Sequence, residues 1–134
     1  MSRPVGSLYD AIGGEPAVRA VLQSLYDKLF DDPIVGFLFQ GRDKQHIVEQ
    51  QLAFTCHFLG GPHEYAGRPL PAVHAALPLL PGHFDRRHRL LAQVLEDQHV
   101  ADEVKRAWLQ IDEALRPSIL AAGEDARERT RAPG

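Results

Sequence analysis

Three polar side chains, those of His74, Gln51 and Tyr26, lie on the apolar faces of predicted helices, where ligand chemistry could take place. A buried amide such as that of Gln51 costs about 1–3 kcal/mol unless something hydrogen-bonds to it, so another side chain or a ligand must satisfy it. The hydroxyl of Tyr26 needs an interior partner for the same reason, unless it lies at the rim of the core in water. The two polar ends could also satisfy each other.

His74 belongs to a short predicted helix that starts at Pro69 and Pro71 and stops at Pro78, and Leu70, His74 and Leu77 share one face of it. A helix of about two turns is marginally stable by itself, and a bond from His74 to a metal ion would anchor it. A core histidine bonded to a carbonyl group explains the same pattern. These residues alone leave both interpretations open.

The composition limits the classes of protein to consider. The chain has 134 residues, a net charge of −3 with neutral histidines and one cysteine. It is therefore long enough for one domain, has no basic surface typical of nucleic-acid binding and cannot form an internal disulfide. No apolar run is long enough to span a membrane and no signal peptide is recognisable, so we expect a cytoplasmic protein.

The pattern of the chain predicts an all-α fold, since no segment alternates apolar and polar residues as a strand does. We expect one domain over residues 1–122, followed by a charged, frayed tail over 123–134. Pro117 should bend the last helix. The predicted helical segments are 7–12, 15–30, 34–39, 43–59, 70–77, 81–97 and 101–122.

Known catalytic patterns are scarce in this sequence. It contains no glycine-rich phosphate loop, no serine elbow and no paired carboxylates on inward helix faces. Nothing marks Cys56 as activated, and we expect it to be inert packing. One inward histidine beside a wide apolar cleft matches a flat cofactor that brings four metal ligands of its own, which is haem held by a single imidazole.

These features resemble the truncated haemoglobins, most closely those of group I. The resemblance extends from about Leu8 to Leu120, and the two Gly-Gly pairs together with the spacing to His74 make it specific. The matching residues are Leu8 to Gly14, Tyr26, Phe39, Gln51, Phe54, Leu59 to Pro62, Tyr65 to Leu70, His74, His83 and Phe84.

The resemblance implies a two-over-two helical sandwich that encloses haem b. His74 would bind the iron, and Tyr26 and Gln51 would form the distal polar pair. Phe39 would pack on the porphyrin, and Arg42, Tyr65 and Arg68 would hold the propionates. The full set of cofactor-binding positions implied by the resemblance is Phe39, Ile47, Phe54, Tyr65, Arg68, Phe84 and Arg42.

Two further positions affect access to the iron. Ile47 stands where many globins carry a distal histidine. A shift of one residue in the alignment would place His46 there, and two histidines could then bind the iron. Thr55 occupies the position of an aromatic gate to an apolar tunnel in relatives, which implies an open route.

The resemblance implies a protein that binds O2, NO or CO at an open distal site. Conversion of nitric oxide to nitrate with oxygen is one expected activity, and it needs an electron donor that the sequence does not reveal. An oxygen store or a gas sensor without turnover is the alternative. A third hypothesis is a helical interaction protein without haem, in which His74 is an ordinary core residue. The sequence predicts no oligomeric state.

Overall fold

The structure is a computed structural model, and it describes residues 7–62, 79–121 and 124. Within these ranges all regular secondary structure is helical, as predicted. The predicted short helix with His74 lies outside the described residues, as do Tyr65, Arg68 and nearly all of the predicted tail.

Five α-helices, one 3-10 turn and a last helical segment over 116–121 make up the described fold. Helix α2 packs against α3 and α4, α4 packs against α5, and α1 contacts α2 and α5. No helix among the described residues is both long enough and apolar enough to cross a membrane. The elements are α1 (Leu8–Ile12), α2 (Glu15–Asp31), the 3-10 turn (Gly36–Phe39), α3 (Lys44–Phe58), α4 (Pro81–Asp97) and α5 (Asp102–Ala114).

Side-chain caps and glycines set the boundaries of these helices. The Ser7 hydroxyl caps α1 by accepting the Asp10 N–H at 3.2 Å, and the Asp43 carboxylate caps α3 by accepting the His46 N–H at 3.1 Å. Gly13 ends α1 with a φ of 115°, a left-handed conformation that residues with a side chain rarely adopt. These boundaries agree with those predicted from the sequence.

The second Gly-Gly pair, Gly60 and Gly61, lets helix α1 dock on the end of α3. The Tyr9 N–H donates to the Leu59 carbonyl at 2.9 Å, which holds the two elements together. A Cβ atom at Gly61 would lie 2.7 Å from the Tyr9 ring, and one at Gly60 would lie 2.8 Å from the Ser7 Cβ. Both glycines are therefore required by close approach, and Gly60 also by its left-handed backbone with a φ of 90°.

The last helix differs from its predicted form. A single helix bent at Pro117 was expected, but α5 ends at Ala114, Leu115 forms a turn, and helix resumes over 116–121. Proline cannot donate a hydrogen bond to the carbonyl four residues earlier, here that of Glu113, so the helix is broken ahead of it. Ile119 beyond the break is still fully buried in the core.

Candidate functional site

Tyr26 is buried in the centre of the described fold. It lies on the apolar face of α2, with 2 % of its surface exposed. Its ring meets that of Phe39 edge-on at a centroid distance of 6.1 Å, and Phe39 in turn packs on Phe30 at 4.9 Å. Burial raises the pKa of Tyr26, with the charge of Arg87 opposing the shift. The hydroxyl is therefore protonated at neutral pH and can donate a hydrogen bond.

Gln51 is the second buried polar residue that the helical pattern predicted. It lies on α3 with 4 % of its surface exposed. The partner that interacts with the Tyr26 hydroxyl is the guanidinium of Arg87, so a mutual bond between Tyr26 and Gln51 is not needed to satisfy the hydroxyl. The Gln51 side chain instead lines a cavity.

This cavity lies between α2, α3, α4 and α5 and has a volume of about 20 Å³. That is enough for one water or one small ligand. Most of its lining is apolar, but it includes Gln51, Thr55, Arg87 and Asp112. Its lining residues are Leu22, Leu25, Gln51, Phe54, Thr55, Phe58, Leu59, Arg87, Trp108, Ile111, Asp112, Leu115 and Ile119.

A buried ionic cluster forms one side of the cavity. The Arg87 Nη1 donates to the Asp112 Oδ1 at 2.5 Å, and the His88 Nδ1 lies 2.7 Å from the Asp112 Oδ2. Arg87 and Asp112 are 8 % and 5 % exposed. Burial alone would raise the pKa of Asp112, but the charge of Arg87 and the contact with His88 lower it to about 2. The carboxylate is therefore ionised at neutral pH.

One hydrogen-bond donor of Arg87 has no acceptor in the described part of the chain. Among the described residues, its Nε is the one buried side-chain nitrogen or oxygen without a hydrogen-bond partner. Burial is the largest single influence and works against the charge of Arg87, but the charges and hydrogen bonds of Asp112 and Tyr26 together outweigh it, so the pKa of Arg87 is raised and the guanidinium stays charged.

The other predicted site residues of the described part differ in their burial. Phe39, Phe54 and Phe84 are buried in the core, Ile47 is half-buried against it, and Arg42 is exposed. These placements do not test the predicted contacts with a cofactor, which stay predictions.

His46 and Ile47 lie on different sides of α3. His46 is exposed on the first turn of the helix, where its N–H donates to the cap, whereas Ile47 packs against the core. The orientation of α3 therefore favours the alignment that places Ile47, not His46, on the inner face.

Arg87 and Asp112 are the site residues that the sequence analysis missed. Arg87 follows Phe84 by three positions and precedes Leu91 by four, which puts it on the buried face of α4. Asp112 follows Trp108 by four positions on α5. The sequence pattern that could have revealed them is a basic residue and an acidic residue at core positions of two successive helices.

Comparison with known proteins identifies the family. The family model described as Bacterial-like globin matches residues 7–120. The Group 1 truncated hemoglobin of Tetrahymena pyriformis is 32 % identical over 120 residues, covering 90 % of this chain and 98 % of the relative. Group 1 truncated hemoglobin GlbN of a Nostoc strain is 31 % identical over 116 residues, covering 87 % and 98 % of the two chains.

Solved structures agree with these sequence matches. The Fe(III) form of the truncated hemoglobin from Tetrahymena pyriformis superposes with a TM-score of 0.78 at 31 % identity, covering 86 % of this chain and 98 % of that one. The 2/2 hemoglobin from Synechococcus sp. PCC 7002, in its cyanomet state and with covalently attached heme, gives a TM-score of 0.81 at 26 % identity, covering 87 % and 99 %.

The all-helical architecture and the buried polar pocket define a globin of the two-over-two type, which confirms the predicted fold class. The chain belongs to the truncated haemoglobin family, as its resemblance to group I implied. Membership implies binding of haem and of small diatomic ligands. The described residues fit this role, because Gln51 and Arg87 place hydrogen-bond donors on a largely apolar cavity and Tyr26 is a further buried donor in contact with Arg87.

Proposed function

We propose that this chain binds haem b through His74 and uses Tyr26 and Gln51 to stabilise O2 and other diatomic ligands at an open distal site. Haem, when bound, supplies an iron centre that binds such ligands and that, with oxygen, can oxidise nitric oxide to nitrate. The observation that carries the proposal is the burial of two donor side chains, Tyr26 on α2 and Gln51 on α3, of which Gln51 lines a small cavity.

Tyr26 and Gln51 would act on the charge of the ligand. An oxygen ligand in the pocket carries partial negative charge, and donors already fixed in a dry pocket stabilise that charge without having to reorganise. The raised pKa of Tyr26 supports this role, because the hydroxyl keeps its proton over the physiological range. Phe39 packs on the Tyr26 ring and limits its movement.

Thr55 bears on how a ligand reaches the pocket. Its side chain lines the cavity together with Phe54 and Phe58, whose rings lie 4.5 Å apart. A threonine fills less space than an aromatic residue at this position would, so we propose that the route through the cavity is open to diatomic gases.

We further propose nitric oxide dioxygenation as the activity, with an external one-electron donor restoring the ferrous state. The test is to mix the oxygen-saturated ferrous protein with nitric oxide and to follow nitrate with a reductase present. Sustained nitrate formation supports the enzyme. A single stoichiometric conversion without turnover would favour the alternative, an oxygen store or gas sensor.

The haem-free hypothesis has its own test. Purified protein that shows no Soret band, even after haemin is added, would identify the chain as a helical interaction protein. The fully buried core beside Tyr26 and Gln51 would then serve packing alone.

A further inference from the structure

Arg87, which lines the cavity beside Gln51, has a buried donor without an acceptor among the described residues. A guanidinium carries five N–H groups, and the Gln51 amide carries two N–H groups and one acceptor oxygen. Asp112 is the ionised acceptor in the lining, and both of its oxygens are already engaged, one by Arg87 and one by His88. The Nε of Arg87 is left without an acceptor. The Arg87 Nε–H therefore lacks an acceptor atom, and a negatively charged atom would be its strongest partner.

The size and surroundings of the cavity limit which acceptor can enter. The space available suits a group of a few atoms, and the walls are largely apolar side chains such as Phe54 and Trp108. A charged guanidinium in such a place interacts strongly with an anion because little water screens it. Two groups bear directly on its charge, Asp112 on α5 and Tyr26 on α2, and His88 on α4 acts on Asp112.

We propose that Arg87 strengthens the binding of small monovalent anions in this pocket, which also takes neutral diatomic ligands, with the anion held by the Arg87 Nε–H and the Gln51 amide. This inference rests on the proposed ligand pocket and deepens it by naming a ligand class. Arg87 is a specificity-determining residue in this reading, and Asp112 sets how much of its positive charge an entering anion meets.

Two variants of this ion pair should change the affinity of the pocket for an anion in opposite directions. Replacing the pair by apolar residues of similar size, in the double variant Arg87→Met with Asp112→Leu, removes the donor without leaving a buried charge unpaired. Asp112→Asn keeps Arg87 and removes the compensating negative charge. A purely structural role for the ion pair predicts no such opposition, because either change then only weakens packing between α4 and α5.

The test uses azide as the anionic probe and carbon monoxide as the neutral one. Azide is titrated into the ferric haem-loaded protein at pH 7 by following the Soret band, and carbon monoxide into the ferrous form. We expect the double variant to bind azide at least about tenfold more weakly, the size of one lost charge-assisted hydrogen bond. Asp112→Asn should bind azide more tightly than the native chain. Carbon monoxide affinity should change less than about threefold in both, because a neutral ligand gains little from the guanidinium charge.

The exposed Arg89 on the same helix provides the matched control, since Arg89→Met removes an arginine from α4 without touching the cavity. Circular dichroism verifies that each variant is folded. If the folded double variant binds azide within about threefold of the native chain, or if Arg89→Met has the same effect, the inference is wrong.

Failure of the haem proposal is recognised separately, as the lack of a Soret band in the native chain. In that case the rise in melting temperature on adding azide is the readout. It must occur in the native chain and vanish in the double variant, and its absence from the native chain would overturn the inference.

Discussion

The buried pair formed by Arg87 and Asp112 should dominate the response of this fold to a single substitution. In Asp112→Leu the carboxylate is lost while the guanidinium stays buried and charged. Removing one partner of a buried ion pair typically costs about 3–5 kcal/mol in the free energy of unfolding. Adding Arg87→Met removes the uncompensated charge, so the double variant should return to within about 1 kcal/mol of the native chain.

The pKa of Asp112 gives a separate measure of the same interaction. Folding lowers it from its ordinary value of 3.8 to about 2. One pKa unit corresponds to about 1.4 kcal/mol, so the shift stabilises the folded chain by about 2.5 kcal/mol at neutral pH. Because the folded pKa is the lower one, this contribution is complete above pH 4 to 5, roughly, and is lost as the pH falls through about 2.

Urea unfolding, followed by circular dichroism and by the fluorescence of Trp108, measures both effects. The free energies of unfolding of the native, single and double variants are compared at pH 7 and then down to pH 3. We expect the native chain to lose stability toward acid more steeply than the double variant, which lacks Asp112. Equal destabilisation of the single and double variants at pH 7, or parallel acid profiles, would refute the reasoning about the pair.

Three further predictions concern other parts of the molecule. Tyr26→Phe should release oxygen up to about tenfold faster in stopped-flow measurements, because one hydrogen bond of about 1–1.4 kcal/mol is lost, and an unchanged rate would exclude Tyr26 as a donor. Gly61→Ala should lower the free energy of unfolding by about 2 kcal/mol or more because the added Cβ meets the Tyr9 ring, whereas Gly82→Ala, with no atom within 4 Å of the added Cβ, should not destabilise the chain. Burial raises the pKa of the Cys56 thiol to about 11, so iodoacetamide should modify the native chain very slowly at pH 7.5 and the urea-unfolded chain rapidly, and fast native modification would contradict this burial.

Local signals in the sequence were sufficient to predict most helix boundaries. Ser7 and Asp43 cap helices because their side chains accept N–H groups of the first turn, and Pro81 begins α4 as predicted. These effects depend on residues close together in the chain. The predicted bend of the last helix, at Pro117, lies later in the chain than the observed turn at Leu115. The sequence shows where a proline lies but not how the preceding turn relaxes.

The site was predicted less completely than the helices. Tyr26 and Gln51 were recognised because each interrupts an otherwise apolar face, and the structure buries both. Arg87 and Asp112 also lie on buried faces, but a charged residue at one edge of a helical pattern normally indicates solvent. Only the packing of α4 against α5 brings the two charges together, and that contact is set by tertiary structure.

The visible spectrum of the haem-loaded chain, compared with those of His74→Ala and His46→Ala, tests the central claim most directly. The account predicts a Soret band and a carbonyl complex in the native protein and in His46→Ala, and loss of the native ferrous spectrum in His74→Ala alone. An unchanged spectrum in His74→Ala, or a native chain that takes up no haem, would contradict it.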